Sequence, residues 1–364
     1  MAIYRIYPSK DSTLYTKQTD LNAGRDAMLE LGSNKFGEAL RPVIQFSQTE
    51  VTSTITDILG GTSNYSASIK LYTANASQLG EDTKVHIHPL AESWVEGIGH
   101  YADAPYNAVG VSWKYRDGQT LWTTTHPSPS SSLHPGGEEI GGGVWINEAN
   151  GIVISSSYEH LYEGSTNIEA DITPFVKATV DGSIQNNGLV LKMDIDEFVT
   201  SSISYMQLFS KDTNTVYYPH LDLTWDDSTY NSTLDHISGS TGALDIKFKE
   251  IKSSYPDNGK VRFRLHARSK YPAKVFRTTN TYLTNSKLDS ESYWGVKDEA
   301  TGEMVIDFDT FATKVSADNT SSYFDIYMDN LFVERYYRLV VKTTVDGTTH
   351  IVESDNPFKL ESNG

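Results

Sequence analysis

Apolar and polar residues change places at every second position along most of this chain, a period that belongs to extended backbone rather than to helix. Tyr4 to Tyr7, Ile69 to Tyr72, Val85 to His88, Gly188 to Met193, Met206 to Phe209 and His220 to Trp225 carry it in the first part. Ala243 to Ile251, Lys260 to Ala267, Glu303 to Phe308, Tyr323 to Met328 and Tyr336 to Lys342 carry it in the remainder. Gly, Asn, Ser and Asp clusters separate these runs at the spacing of a β-sandwich. At Val345-Asp346-Gly347-Thr348 the Asp-Gly pair suits a tight primed turn between two strands. One stretch breaks the pattern. From Asp171 to Val180, Asp171 or Thr173 can cap and Pro174 sits at a first-turn position, which predicts one or two helical turns.

The chain has 364 residues, long for one core and comfortable for two. Its formal charge of -17 is unevenly placed: residues 1–231 hold 28 acidic and 13 basic side chains, residues 232–364 hold 19 and 17. With the polar run Asp226 to Thr233, this predicts two domains, 1–230 and 231–364, the second smaller and immunoglobulin- or fibronectin-like by pattern. Without a Lys/Arg cluster, the chain lacks the footprint that a phosphate backbone demands, so no nucleic acid is expected. No apolar run approaches the 18 or so residues that span a bilayer, so no membrane insertion is expected. Met1 to Tyr7 runs straight into the first strand without the basic and apolar regions of a secretory signal, and there is no cysteine to staple the fold.

Catalytic motifs are missing. There is no nucleophile elbow, no His-Glu-x-x-His, no Walker loop and no dinucleotide-binding glycine pattern, so no enzyme is expected. The Gly-rich run Gly136 to Gly143 carries Glu138 and Glu139 and no lysine, and would repel a phosphate. His86 and His88 share one strand face but nominate no third metal ligand. Carboxylate pairs for glycoside hydrolysis can be drawn from Glu92, Glu96, Glu138 or Asp194, as they can in any chain with 47 acids.

Ile6 to Tyr15 and Tyr218 to Trp225 bracket Arg41 to Phe46, Ala67 to Tyr72, Val85 to Leu90 with Trp94 and Trp113, Asp171 to Val176 and Asn186 to Leu191. In that order and at those spacings, residues 3–226 resemble a DNRLRE-type domain, a jelly-roll-like β-sandwich found in bacterial surface proteins, carbohydrate-binding modules and phage virion proteins. The resemblance implies an all-β fold. It also implies a possible structural calcium near the chain ends, for which Asp11 and Asp222 occupy the matching strands. No other cofactor is expected.

Two function classes follow. In one, the chain is a non-enzymatic structural protein of a bacteriophage virion, in the tail, baseplate, collar or head decoration, made in the host cytoplasm. Its partners would then be other virion proteins and further copies of itself. In the other, it is a carbohydrate-binding adhesion module that recognises host glycan. Both place recognition on the irregular stretches Glu96 to Thr125 and His126 to Gly143, because a sandwich commits its strands to packing. Tyr101, Tyr106, Tyr115 and Trp122 are the candidate contact residues. Trp94, Trp145 and Trp225 are expected in the core, as are Leu189, Leu191, Leu221 and Leu223, alternating inward.

Overall fold

The strand Ala39–Phe46 is the hub of the larger of two units. Along one edge it pairs with Pro8–Tyr15 from Phe46 to Leu40; along the other it meets Leu189–Met193 at Val43 and Ile44 and Met28–Ser33 at Ala39 and Leu40. One strand with three partners makes the sheet curl. The sheet continues through Lys84–Pro89 to Ser156–Glu159 on one side, and through Ser204–Phe209 to Thr73–Ser77 on the other. A smaller sheet holds His220–Trp225, Tyr65–Leu71 and Ile168–Asp171, so the unit is a jelly-roll-like sandwich. A computed structural model describes residues 2–80, 83–123, 141–159, 167–194, 204–238, 244–271 and 285–362. Among these, no helix is long and apolar enough to cross a membrane.

Leu189, Leu191, Leu221 and Leu223 are all buried, and so are the residues between them, Val190 and Asp222. Simple alternation therefore understates the burial of these two strands. Val190 meets a second apolar cluster on the far side of its sheet, so its strand is covered on both faces.

The helix Thr173–Val180 forms where expected. Pro174 lies in its first turn and the Asp171 carboxylate accepts from Thr173 N at 2.8 Å. A second helix, Gln48–Ser53, continues as a π-turn over Thr54–Ile58. It was not expected, because Val51, Thr52, Thr54, Ile55 and Thr56 are β-branched and favour strands. Ser47 and Glu50 nonetheless have capping-box spacing, and the Ser47 side chain accepts from Glu50 N.

The other unit comprises Met1–Arg5 together with Thr224–Gly364. The sequence assigns residues 1–5 and 224–230 to the first domain, whereas the contacts group them with the second. The Asn330 side chain explains the first shift. Fully buried, it accepts from Arg5 N at 2.7 Å and donates to Ile3 O at 2.6 Å, completing the backbone pairing of the opening segment as a strand would. Arg5 also donates to Val305 O at 2.7 Å.

This unit is the smaller β-sandwich. One sheet orders Leu244–Lys249, Lys260–Ser269, Ser322–Tyr327 and Ser316–Ala317. The other orders Ser254–Pro256, Phe358–Glu361, Tyr336–Val345, Tyr293–Asp298 and Met304–Ile306, with Thr348–Glu353 also on Tyr336–Val345. Trp294 stacks on Phe324 at 5.1 Å, inside a core shared with Phe263, Leu265, Leu339 and Phe358. The hairpin turn is where Asp-Gly placed it, with positive φ at Asp346 and Gly347.

Candidate functional site

Residues 91–123 and 141–147 leave the larger sheet as a two-sided lobe. On its inner side Trp94, Val111, Trp113, Trp122, Val144 and Trp145 pack onto Leu14, Val43, Leu90 and Val190 of the sheet. Arg41 is buried there, its guanidinium 4.7 Å from the Trp113 ring and 5.4 Å from that of Trp145, with Nη1 donating to Gly142 O at 3.1 Å. A cation can be buried this way because ring faces and carbonyls replace part of its hydration. The same contact explains the end of the Gly-rich run. A Cβ on Gly142 would lie 2.5 Å from Arg41 Nη1 and 2.7 Å from Trp113 Cη2, and its φ of +73° also favours glycine.

The outer side is apolar too. Val95, Ile98, Tyr101, Tyr106, Val109 and Leu121 are exposed large side chains. Between residues 101 and 110 the one charged side chain is Asp103, whose carboxylate accepts from His100 N at 2.9 Å.

Asn22, with no exposed surface, fixes this lobe to the sandwich. Its Nδ2 donates to Glu96 O at 2.6 Å and Val111 O at 2.8 Å, while Oδ1 accepts from Gly99 N at 2.9 Å and Gly24 N at 3.4 Å. Its backbone N–H donates to Asn107 O, and that of Arg25 to Gly99 O. Gly97 is required beside it: a Cβ there would sit 2.2 Å from Asn22 Oδ1. The Asp26 carboxylate accepts from Tyr101 N at 3.1 Å and lies 3.4 Å from His100 Nδ1. Burial pushes the Asp26 carboxyl above its ordinary range, against the pull of those two partners.

At the root of the lobe Glu96 Oε1 accepts from Asp11 N at 2.9 Å and from Lys211 Nζ at 3.2 Å. Lys211 N donates to Asp11 Oδ2 at 2.7 Å, and Lys211 Nζ reaches Asp212 at 3.1 Å. Asp11, Glu96 and Asp212 form the one three-ligand grouping that a metal could share among the described residues. The Lys211 ammonium already pairs with two of the three. Of the two calcium candidates, Asp11 joins this grouping, and Asp222 lies on the smaller sheet, 3.5 Å from His220 Nε2.

The four candidate contact residues divide. Tyr101 and Tyr106 are 42% and 51% exposed, with the Tyr101 ring backed by Tyr15 at 4.7 Å. Tyr115 is half-buried and paired with Leu121. Trp122 corrects the expectation: it is 1% exposed and its indole N–H donates to Ser112 O, so it belongs to the inner core. Residues 124–140, which include most of the expected loop from His126 to Gly143, lie outside the described residues. Sequence reasoning missed Asn22 and the aliphatic members Val95, Ile98, Val109 and Leu121. The glycines at 97, 99, 110 and 118 were the available signal of close approach.

His86 and His88 do share a face, stacked at 5.8 Å, with His88 against Trp145 at 5.4 Å. Burial, reinforced by His86, lowers His88 to about 4. The acids drawn upon for hydrolysis have separate partners: Glu92 accepts from Thr123 N, Glu96 belongs to the root cluster, and Asp194 lies 3.7 Å from His86. Glu138 lies outside the described residues.

No family model matches the chain, and neither does any curated protein. Among solved structures it is similar to a DUF4785 family protein from Legionella pneumophila, at 6% identity over 99% of this chain and 62% of that one, with a TM-score of 0.19. A putative beta-galactosidase from Bacteroides fragilis is similar at 7% identity over 98% of this chain and 41% of that one, also with a TM-score of 0.19. The chain thus spans less than two thirds of either neighbour, and likenesses this slight carry no argument.

Proposed function

We propose that this is a non-enzymatic structural protein of a bacteriophage virion, in the tail, baseplate, collar or head decoration, which joins a neighbouring protein through the outer face of the lobe. The observation that carries this reading is the tip from Tyr101 to Val109, which exposes Tyr101, Tyr106 and Val109 and carries the single charge of Asp103, held to the sandwich by Asn22 in a chain of formal charge -17. Such a surface costs little to desolvate and repays it at about 25 cal/mol per Å² buried. Tyrosines such as Tyr101 and Tyr106 are enriched among the few residues that dominate protein interfaces. The acidity around it disfavours a second copy facing it and favours a different protein, with an apolar groove in neutral or basic surroundings.

Glycan binding is the second reading, favoured by the exposed rings of Tyr101 and Tyr106. It ranks second because four aliphatic side chains, Val95, Ile98, Val109 and Leu121, share the exposed surface with the two rings, and an apolar patch of that composition marks a protein contact. Mass spectrometry of purified particles tests the virion reading: a stoichiometric copy number supports it, and absence from particles overturns it. A Tyr106→Asp/Val109→Asp variant that folds but no longer enters particles supports docking through the lobe. Normal incorporation of that variant overturns the surface, and a glycan signal lost on Tyr101→Ala would favour the second reading.

A further inference from the structure

We propose that Asn258–Gly259 is a self-modification site: the backbone nitrogen of Gly259, its proton taken by the Asp329 carboxylate, closes on the Asn258 side chain and converts it to aspartyl and isoaspartyl forms. The pair occupies the exposed turn between Ser254–Pro256 and Lys260–Ser269 in the smaller unit. A following glycine leaves the attacking nitrogen unscreened by a Cβ, and around Gly259, at φ +84°, nothing lies within 4 Å of where a Cβ would sit. Gly259 N and Asn258 Cγ are neighbours along the chain, so ring closure needs no encounter between separate segments. The turn is fastened from outside. Met328 N donates to Gly259 O at 2.9 Å, and the Gly259 N–H donates to the carboxylate of the next residue, Asp329.

The Asp329 contact sets this pair apart. A carboxylate hydrogen-bonded to the attacking N–H stands where a general base must stand. Partial burial pushes the Asp329 carboxyl above its ordinary range and Asp257 adds to the rise, against the Gly259 N–H, so it accepts a proton more readily than an ordinary carboxylate. As the proton passes to Asp329, the bond from Gly259 N to Asn258 Cγ forms and the Cγ–Nδ2 bond breaks, the amide leaving as ammonia with that proton. Water then opens the ring at one of its two carbonyls. Opening at Cγ leaves aspartate at 258; opening at the main-chain carbonyl leaves isoaspartate, whose main chain runs through Cβ and is one carbon longer. Two other Asn–Gly pairs among the described residues lack this arrangement. Asn187 is 8% exposed and its amide donates to Ala91 O at 3.0 Å, while Gly188 N donates to the Asn186 amide oxygen at 3.1 Å, which is no base. Asn150–Gly151 is exposed, but the Asn150 amide donates to Ser183 Oγ at 3.0 Å and, among the described residues, no carboxylate accepts from Gly151 N.

Peptide mapping by mass spectrometry, on the full chain incubated at neutral pH, tests this, with an isoaspartyl-specific methyltransferase to mark the product. Conversion is expected to be fastest at Asn258, slower at Asn150 and absent at Asn187. Asp329→Asn keeps an acceptor for the Gly259 N–H and removes the base. It should slow conversion at Asn258 about tenfold, less than the roughly 10²–10⁴ of an enclosed general base because this turn is open to water, and leave Asn150 unchanged. Asp257→Asn removes an acid from the same turn but not the one on Gly259 N, and an equal slowing by that variant overturns the role of Asp329. So does an unchanged rate in Asp329→Asn. Should Asp329→Asn not fold, the order within the wild-type chain decides: Asn258 ahead of Asn150 supports the site, and Asn258 level with or behind Asn150 overturns it. The outcome does not depend on what the outer face of the lobe binds or on whether the chain enters particles.

Discussion

Replacing Asn22 with Ala removes one side chain and strands several backbone groups at once. Three of its hydrogen bonds are short, to Glu96 O, Val111 O and Gly99 N, at 2.6, 2.8 and 2.9 Å, and Asn22 has no exposed surface. A buried polar group left without a partner costs about 1–3 kcal/mol, so three of them set an upper range near 9 kcal/mol. Water entering the base of the lobe recovers part of this, and a loss of about 3–5 kcal/mol is expected. That is a large share of the roughly 5–15 kcal/mol available to a folded domain. The assay is urea unfolding followed by tryptophan fluorescence, since Trp94, Trp113, Trp122 and Trp145 cluster beneath the lobe. Asn22→Asp sharpens it. Aspartate keeps the acceptor facing Gly99 but turns a second oxygen toward two carbonyls, so it should be no better than alanine. A loss below about 1 kcal/mol, or an aspartate variant near wild type, refutes the staple.

Trp122→Ala should destabilise the larger unit by about 3–5 kcal/mol, as a buried indole does; a loss below about 1 kcal/mol in urea unfolding would return Trp122 to the surface. Asn330→Ala should cost about 2–4 kcal/mol by freeing Ile3 O and Arg5 N, and should make residues 2–5 the first site of limited proteolysis. An unchanged N-terminus after protease treatment refutes this assignment. His88 is lowered to about 4: the unfolded chain takes up a proton below 6.5 that the folded protein refuses, so stability present above 6.5 is lost as the pH falls toward 4. His88→Phe should therefore flatten the decline in thermal midpoint between pH 6.5 and 4.5, and an unchanged slope would contradict the burial of this imidazole.

Local patterns specify much of this protein. The strands around Ile69, Val85, Leu189, Met206, Leu221, Lys260, Tyr323 and Tyr336 are legible because backbone pleat and side-chain alternation share a period of two residues. The turn at Asp346-Gly347 and the helix behind Pro174 are legible because each depends on φ angles that a few residue types prefer. Even the double-sided burial of Leu189-Val190-Leu191 is present as an unbroken apolar run. The site is another matter. Trp122 and Tyr115 are both aromatic loop residues seven positions apart, and nothing local says that the first packs inward while the second remains half-exposed. Only the tertiary structure decides that Asn22 meets Gly99, that Asp11 accepts from Lys211, and that Ile3 belongs with Asn330. These partners are 77, 200 and 327 residues apart. Periodicity records which way a side chain points from its own strand. The partner it finds depends on how the sheets curl and where the loops return, which is settled by packing the whole chain at once.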